Sequence, residues 1–231
     1  MISIIIPAYN EEKVIGNTVK SYMNFFKKQK KDFEIVIIPN NCKDNTEKIV
    51  LDIAKKNKQV KHKVFNYKIG KGGAIIAGFK MAKGDLIAYV DADNSTKPEA
   101  LMKLLNNIGN YDCVMGSRWI ENAIITKKQP AIRRFASRGF NALVRLILNL
   151  QFTDTQAGAK LFRGNALRKI LSEIKSHGWA FDVGVLYLLN KNKFKIREIP
   201  ITWEDNPDSR LNMFRAIPRM FFSLIKIRMG K

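Results

Sequence analysis

The feature that most constrains this chain is an alternation that runs through its first half. Short apolar runs are separated by stretches whose apolar residues recur at helical spacing. Ser3-Ile4-Ile5-Ile6 reads as a buried strand ending at Pro7. Glu11–Lys28 reads as a helix carrying Val14, Thr18, Tyr22, Phe25 and Phe26, and its leading acids suit a helix N-terminus. Further strands are predicted at Glu34–Ile38, Val60–Asn66, Asp85–Val90 and Tyr111–Met115. Further helices are predicted at Asp44–Lys56, at Gly70–Met81 with Gly84 closing it, and at Pro98–Ile108 with its proline at the start. Such alternation implies an α/β fold: a mostly parallel sheet covered by helices on both faces. No internal repeat or low-complexity linker divides it.

In a sheet of that kind, ligands bind at the carboxyl ends of the strands. Four loops are predicted to fall there. Asp91-Ala92-Asp93 follows the apolar run Leu86–Val90. Two carboxylates one residue apart can hold a hard divalent ion whose shell is completed by substrate phosphates; the same residues also suit an acidic turn. Pro7-Ala8-Tyr9-Asn10-Glu11 offers a ring to stack on a base and a carboxylate for ribose hydroxyls, or a helix cap at Asn10. After Ile38, Pro39-Asn40-Asn41-Cys42-Lys43-Asp44 offers amides that can read a base edge or turn the chain. Gly70-Lys71-Gly72-Gly73-Ala74 puts bare backbone and one ammonium at a helix N-terminus, a natural phosphate seat. It matches neither the Walker pattern nor the dinucleotide fingerprint. Base, ribose, diphosphate and metal could thus be gathered in one crevice.

Charge narrows the partners. The chain of 231 residues has 41 Lys+Arg against 20 Asp+Glu, a formal net charge of +21. That excess calls for an anionic partner: nucleic acid, nucleotide phosphates or acidic lipid. Lys127–Arg145 holds six basic residues and no acid, and Arg134, Arg138 and Arg145 share one side of a helix predicted over 133–150. The rest of that helix is largely apolar. It suits either a bilayer interface or a core helix with a solvated basic edge. A second such segment, 212–229, favours the membrane surface, with Pro218 as a kink or the true start. Basic residues set beside aliphatic stripes, without stacking aromatics, speak against nucleic acid. Cys42 and Cys113 are too few for a disulfide framework and fit a reducing compartment. Neither a signal peptide nor a spanning helix is expected.

These residues resemble family 2, GT-A fold glycosyltransferases, and among them the dolichyl-phosphate glucosyl- and mannosyltransferases. The nucleotide-sugar half of that family (1–118 here) is similar in Pro7–Glu11, Lys71–Ala74, Asp91–Asp93 with Thr96-Lys97, and Gly116-Ser117-Arg118. The acceptor half (119–209) is similar in Asp154–Phe162 and Trp179–Val183, stretches that favour the dolichyl-phosphate glucosyltransferase branch. A basic amphipathic segment, 210–231, would follow. The resemblance implies nucleotide-sugar contacts at Pro7, Tyr9, Glu11, Ile38, Asn40, Lys71, Asp91, Ala92, Arg118 and Arg210. It implies Mg²⁺ or Mn²⁺ at Asp91 and Asp93, with Ser95 where mannosyltransferases carry a further ligand. Two positions depart from the pattern: Pro39-Asn40 replaces paired acids that help read the base, and Gly184 stands where the branch tends to carry Glu.

The implied activity is inverting transfer of a hexose from a nucleotide diphosphate, UDP favoured, to a polyprenyl (dolichyl-type) phosphate. The enzyme would lie on the cytoplasmic membrane face. Arg134, Arg138 and Arg145 would dock it to anionic lipid and frame the acceptor. The ionised acceptor phosphate is already a nucleophile. The demand is therefore for cations that bring two anions together and steady the leaving diphosphate. Asp154 and then Asp182 are the acids placed at the reacting centre, although either could instead cap a helix or anchor a loop. Trp179 and Trp203 could line a sugar pocket or fill core, and isolated His62 and His177 suggest no metal site. A soluble glycan acceptor, a nucleic-acid module and a non-catalytic sugar-nucleotide binder are the competing readings.

Overall fold

The computed structural model describes residues 1–127, 131–175, 180–204 and 213–230. Its centre is a seven-stranded sheet in the order β3-β2-β1-β4-β7-β5-β8. The strands are β1 (Ile2–Ala8), β2 (Phe33–Pro39), β3 (Val60–His62), β4 (Leu86–Tyr89), β5 (Cys113–Ser117), β7 (Lys160–Arg163) and β8 (Ile196–Pro200). Every pairing among them is parallel except those of β7, which runs antiparallel to both β4 and β5. A small separate ladder pairs β6 (Ile124–Lys127) with β9 (Thr202–Glu204).

All seven residues of β1 are buried because helices cover both faces. Alternate side chains point to opposite faces of a strand. Ile2, Ile4 and Ile6 therefore join the cluster under α1 (Ile15–Lys28) and α4 (Pro98–Asn106). Ile5 joins the opposite cluster, with α3 (Gly70–Met81), α5 (Ala131–Leu148), α7 (Phe181–Lys191) and α8 (Met213–Arg228). The remaining helices are α2 (Thr46–Lys56) and α6 (Gly164–Ile170). Leu224 and Ile227 of α8 share the cluster of Phe140, Val144 and Leu148, so the two basic helices pack on each other and on the core. Among the described residues no helix is long and apolar enough to cross a membrane.

Several boundaries depart from the predicted ones for visible reasons. Helix α1 starts at Ile15 rather than Glu11, and its first turn holds no acid. The acids belong to the crevice loop instead: the Glu11 N–H donates to Thr46 Oγ1 at 2.7 Å, and Glu12 Oε2 accepts from the Asn45 N–H and side-chain amide. Asp44 lies outside α2 and accepts from the Thr46 N–H at 3.0 Å, satisfying one of that helix's orphan donors. Strand β3 stops at His62, although an isolated bridge pairs Asn40 with Phe65 beyond it. Helix α8 begins before Pro218, so that proline is not its start.

Gly78 lets α3 lie close on β1, since a Cβ there would strike the side chain of fully buried Ile5. Alanine would favour the helix by about 1 kcal/mol, but overpacking a filled core costs about 1–3 kcal/mol. Gly78→Ala is therefore expected to lower stability by roughly 1 kcal/mol, read as a lower midpoint in urea unfolding.

Candidate active site

Parallel strands deliver their following loops to one edge of the sheet. Antiparallel β7 presents its preceding loop, 153–159, at that same edge. The predicted crevice residues converge there. Tyr9 stands at the rim, 44% exposed. Asn10, at φ 55°, turns the chain and accepts the Lys43 N–H at 2.7 Å, tying the first loop to the second. Buried Asn40 spends its amide nitrogen on the Ala8 carbonyl at 3.1 Å, bracing the end of β1.

Asp91-Ala92-Asp93 leaves β4 at the floor of the crevice. Lys71, at the start of α3, places its ammonium 2.6 Å from Asp91 Oδ1. Burial works to lower the Lys71 pKa, but the Asp91 and Asp182 carboxylates outweigh it and hold the ammonium above the usual lysine range. Asp93 is pushed the other way. Burial, and then the charge of Asp91, raise its carboxyl above the ordinary range. Ser95 is buried, and its N–H (2.9 Å) and hydroxyl both support the Asp93 carboxylate. From behind, α1 braces the loop: Thr18 donates to the Ala92 carbonyl and Tyr22 to the Thr96 carbonyl, each at 2.7 Å.

Two carboxylates one residue apart, with the Asp91 charge adding to burial in raising the Asp93 carboxyl, are a donor set for a cation. Among the described residues no third acid, histidine or cysteine joins them in a metal-binding group. A partial oxygen set of this kind fits an Mg²⁺-like ion that takes its other ligands from phosphates and water.

The acceptor-half residues are arranged differently from the sequence expectation. Asp154 is fully buried. It accepts from Arg118 Nε at 2.7 Å, Nη2 at 2.8 Å and the Arg118 N–H at 3.0 Å. Such a forked pair is a strong, directional contact. Asp154 therefore holds Arg118 rather than opening into the crevice as a free acid. The Arg118 guanidinium also lies over Trp203, 5.0 Å from the ring, and near Trp119 at 5.6 Å. Asp182, in the first turn of α7, is buried as well and pairs with Lys160 at 2.7 Å. The Ile38 side chain is fully buried in the core, so only its backbone lies at the end of β2. Arg210, Trp179 and His177 lie outside the described residues.

Sequence reasoning missed the groups that hold loop 153–159. Glu198 on β8 accepts from the Thr153 hydroxyl at 2.6 Å and the Asp154 N–H at 2.8 Å. Asn141 on α5 accepts the Thr155 hydroxyl at 2.6 Å. Lys160 binds the Ala157 carbonyl and Asp182. Lys160 alone carried a legible signal: one charge inside the apolar run Ala157–Phe162 demands a buried partner.

Comparison with known proteins gives the family and the fold. The family model for glycosyl transferase family 2 matches residues 3–171. The chain belongs to that family. A dolichyl-phosphate beta-glucosyltransferase of Saccharomyces cerevisiae is 31% identical over 99% of this chain and 74% of its own length. The Homo sapiens protein of that name is 32% identical over 99% of this chain and 75% of its own. Glycosyltransferase AglD of Haloferax volcanii is 29% identical over 97% of this chain, which spans only 36% of it. Among solved structures, glucosyl-3-phosphoglycerate synthase from Mycobacterium tuberculosis, crystallised with Mn²⁺, UDP and glucosyl-3-phosphoglycerate, aligns at TM-score 0.69 and 16% identity. That alignment covers 100% of this chain and 80% of the synthase. Mannosyl-3-phosphoglycerate synthase from Rubrobacter xylanophilus aligns at 0.72 and 14% identity, over 98% and 72%. These likenesses establish the GT-A fold for this family member.

Removing one partner of a buried ion pair strands the other charge. Asp154→Ala is expected to cost about 3–5 kcal/mol, measured as a shifted urea midpoint at unchanged slope.

Proposed function

We propose that this protein is an inverting glycosyltransferase that moves a hexose from a nucleotide diphosphate, with UDP favoured, to a polyprenyl phosphate of the dolichyl type. The observation that carries the proposal is the seat at the end of β4, where Asp91 and Asp93 face Lys71 at the mouth of a parallel sheet. The names of the relatives at 31% and 32% identity support the acceptor class.

In this reading Tyr9 stacks on the base, and the loops 7–11 and 40–44 enclose the nucleoside. A bound Mg²⁺ or Mn²⁺ would supply charge neutralisation at the leaving diphosphate. Asp93, supported by Ser95, and Asp91 would hold that ion. Lys71 lies within reach of the same diphosphate and adds a fixed positive charge. The acceptor phosphate needs no strong base, because it is ionised at neutral pH. It needs a cationic seat and a line of approach. A hollow of ≈ 620 Å³ lined by Trp119, Arg138, Asn141, Arg145 and Thr153 lies beside Arg118 and supports that role. Asp154 then acts by holding Arg118 at the hollow's edge.

The same hollow opens on α5, where Leu146 is 81% exposed, and α8 carries Phe222 at 63% exposed. Arg134, Arg138 and Arg145 are exposed on α5. Exposed apolar groups on helices that also expose basic side chains suit the headgroup boundary of an anionic bilayer, so α5 and α8 are proposed to rest on the cytoplasmic membrane surface.

Two measurements test this reading. Asp93→Ala, or chelation of divalent ions, is expected to cut lipid-linked product at least ~100-fold in an assay with Mn²⁺, a panel of UDP- and GDP-sugars and a short polyprenyl phosphate. Full turnover in either condition, or turnover on a water-soluble acceptor alone, counts against it. Reversing Arg134, Arg138 and Arg145 to Glu is expected to weaken flotation with anionic liposomes by about 100-fold or more, since each basic residue contributes about 1 kcal/mol at such a surface.

A further inference from the structure

Beneath the two acids of the crevice lies a buried polar network. Lys160 opens β7 directly opposite Tyr89 of β4, and both side chains are fully buried. The Lys160 ammonium lies 2.7 Å from Asp182 Oδ1 and donates to the Ala157 carbonyl at 2.8 Å. The Tyr89 hydroxyl donates to the same Asp182 oxygen. One ammonium thus ties together three separate pieces of chain: the end of β4, the loop before β7 and the first turn of α7. The next residue in the loop is Gly158. A Cβ on Gly158 would run into the Asp91 carboxylate, so Asp91 rests against bare backbone at that point.

We infer that Lys160 is a positioning residue for the acid pair: by holding the Ala157 carbonyl and Asp182, it seats Gly158 against Asp91 and sets the direction in which that carboxylate points. This rests on the reading of Asp91 and Asp93 as the seat of a divalent ion. Lys160 does not reach substrate, because it is sealed beneath the crevice. Its effect passes through two contacts, Nζ to the loop carbonyl and loop backbone to carboxylate. Residues that orient metal ligands in this way change metal affinity by about 10–100-fold when altered. A lysine that merely cross-links the core would change stability alone.

The test is Mn²⁺ binding in the presence of UDP, followed by electron paramagnetic resonance, on wild type, Gly158→Ala and Lys160→Met. Gly158→Ala leaves every charge in place, needs no unusual backbone angle and meets only the movable tip of Asp91. It is expected to keep the melting temperature and to weaken Mn²⁺ binding by about tenfold. Lys160→Met is expected to weaken Mn²⁺ binding by at least as much, in protein that is still folded by circular dichroism. Wild-type Mn²⁺ affinity in Gly158→Ala overturns the inference, and that result decides the matter if Lys160→Met does not fold. A destabilised Lys160→Met with undiminished Mn²⁺ affinity overturns it too. Wild type that binds no Mn²⁺ with UDP overturns the metal reading itself, and the inference with it.

Discussion

The antiparallel insertion of β7 between β4 and β5 is the constraint from which the crevice takes its shape. Had β5 paired directly with β4, the sheet's edge would offer only the loops that follow strands. The reversed strand adds a loop that precedes one. Its register places Lys160 against Tyr89, so a charge enters the core where a carboxylate must meet it. An unpaired ammonium at that depth costs several kcal/mol, and Asp182 offsets it only while α7 stays docked. Burial drives the two pKa values toward each other, the acid's upward and the lysine's downward, which marks how little water reaches the pair. Strand order, helix position and the aim of the crevice acids are thus coupled through one buried contact.

Charge is distributed to match an anionic pair of substrates. The chain is strongly basic, and three of the four aspartates at and beneath the crevice are each paired with a cation. Lys71 meets Asp91, Arg118 meets Asp154 and Lys160 meets Asp182. The two shallower carboxylates, Asp91 and Asp93, lie only one residue apart and crowd each other. The deeper two are closed off in ion pairs that hold structure. In the proposed reaction, cations held in place this way would need little reorganisation as a diphosphate departs. Such pairing also bears on the two readings of Asp154, reacting acid or loop anchor. Burial and the forked contact with Arg118 fit the anchor.

The parts of the fold that were legible in sequence follow strong local periodicity. Strands β1, β2 and β4 are continuous apolar runs because both of their faces are covered, and α3 and α4 announce themselves by Gly-rich and proline starts. The convergence of Tyr9, Asn40, Lys71 and Asp91 at one edge follows from parallel topology alone. Strand β7 was not legible, because four residues with no alternation can sit in a loop as easily as in a sheet. The misplaced start of α1 has a related cause. Glu11 and Glu12 suit a helix N-terminus locally, but partners on a loop more than thirty residues away use them better.

By itself the sequence determined the α/β alternation, the two acids after β4, the glycine-rich start of α3 that carries Lys71, and the basic helices. Each of these depends on residues close together in the chain, where spacing translates directly into geometry. Only the tertiary structure decided which acids face the crevice and which are buried in ion pairs, and where Ile38 and Lys160 point. Those outcomes depend on the dielectric around each group, which is set by distant segments that no local spacing describes.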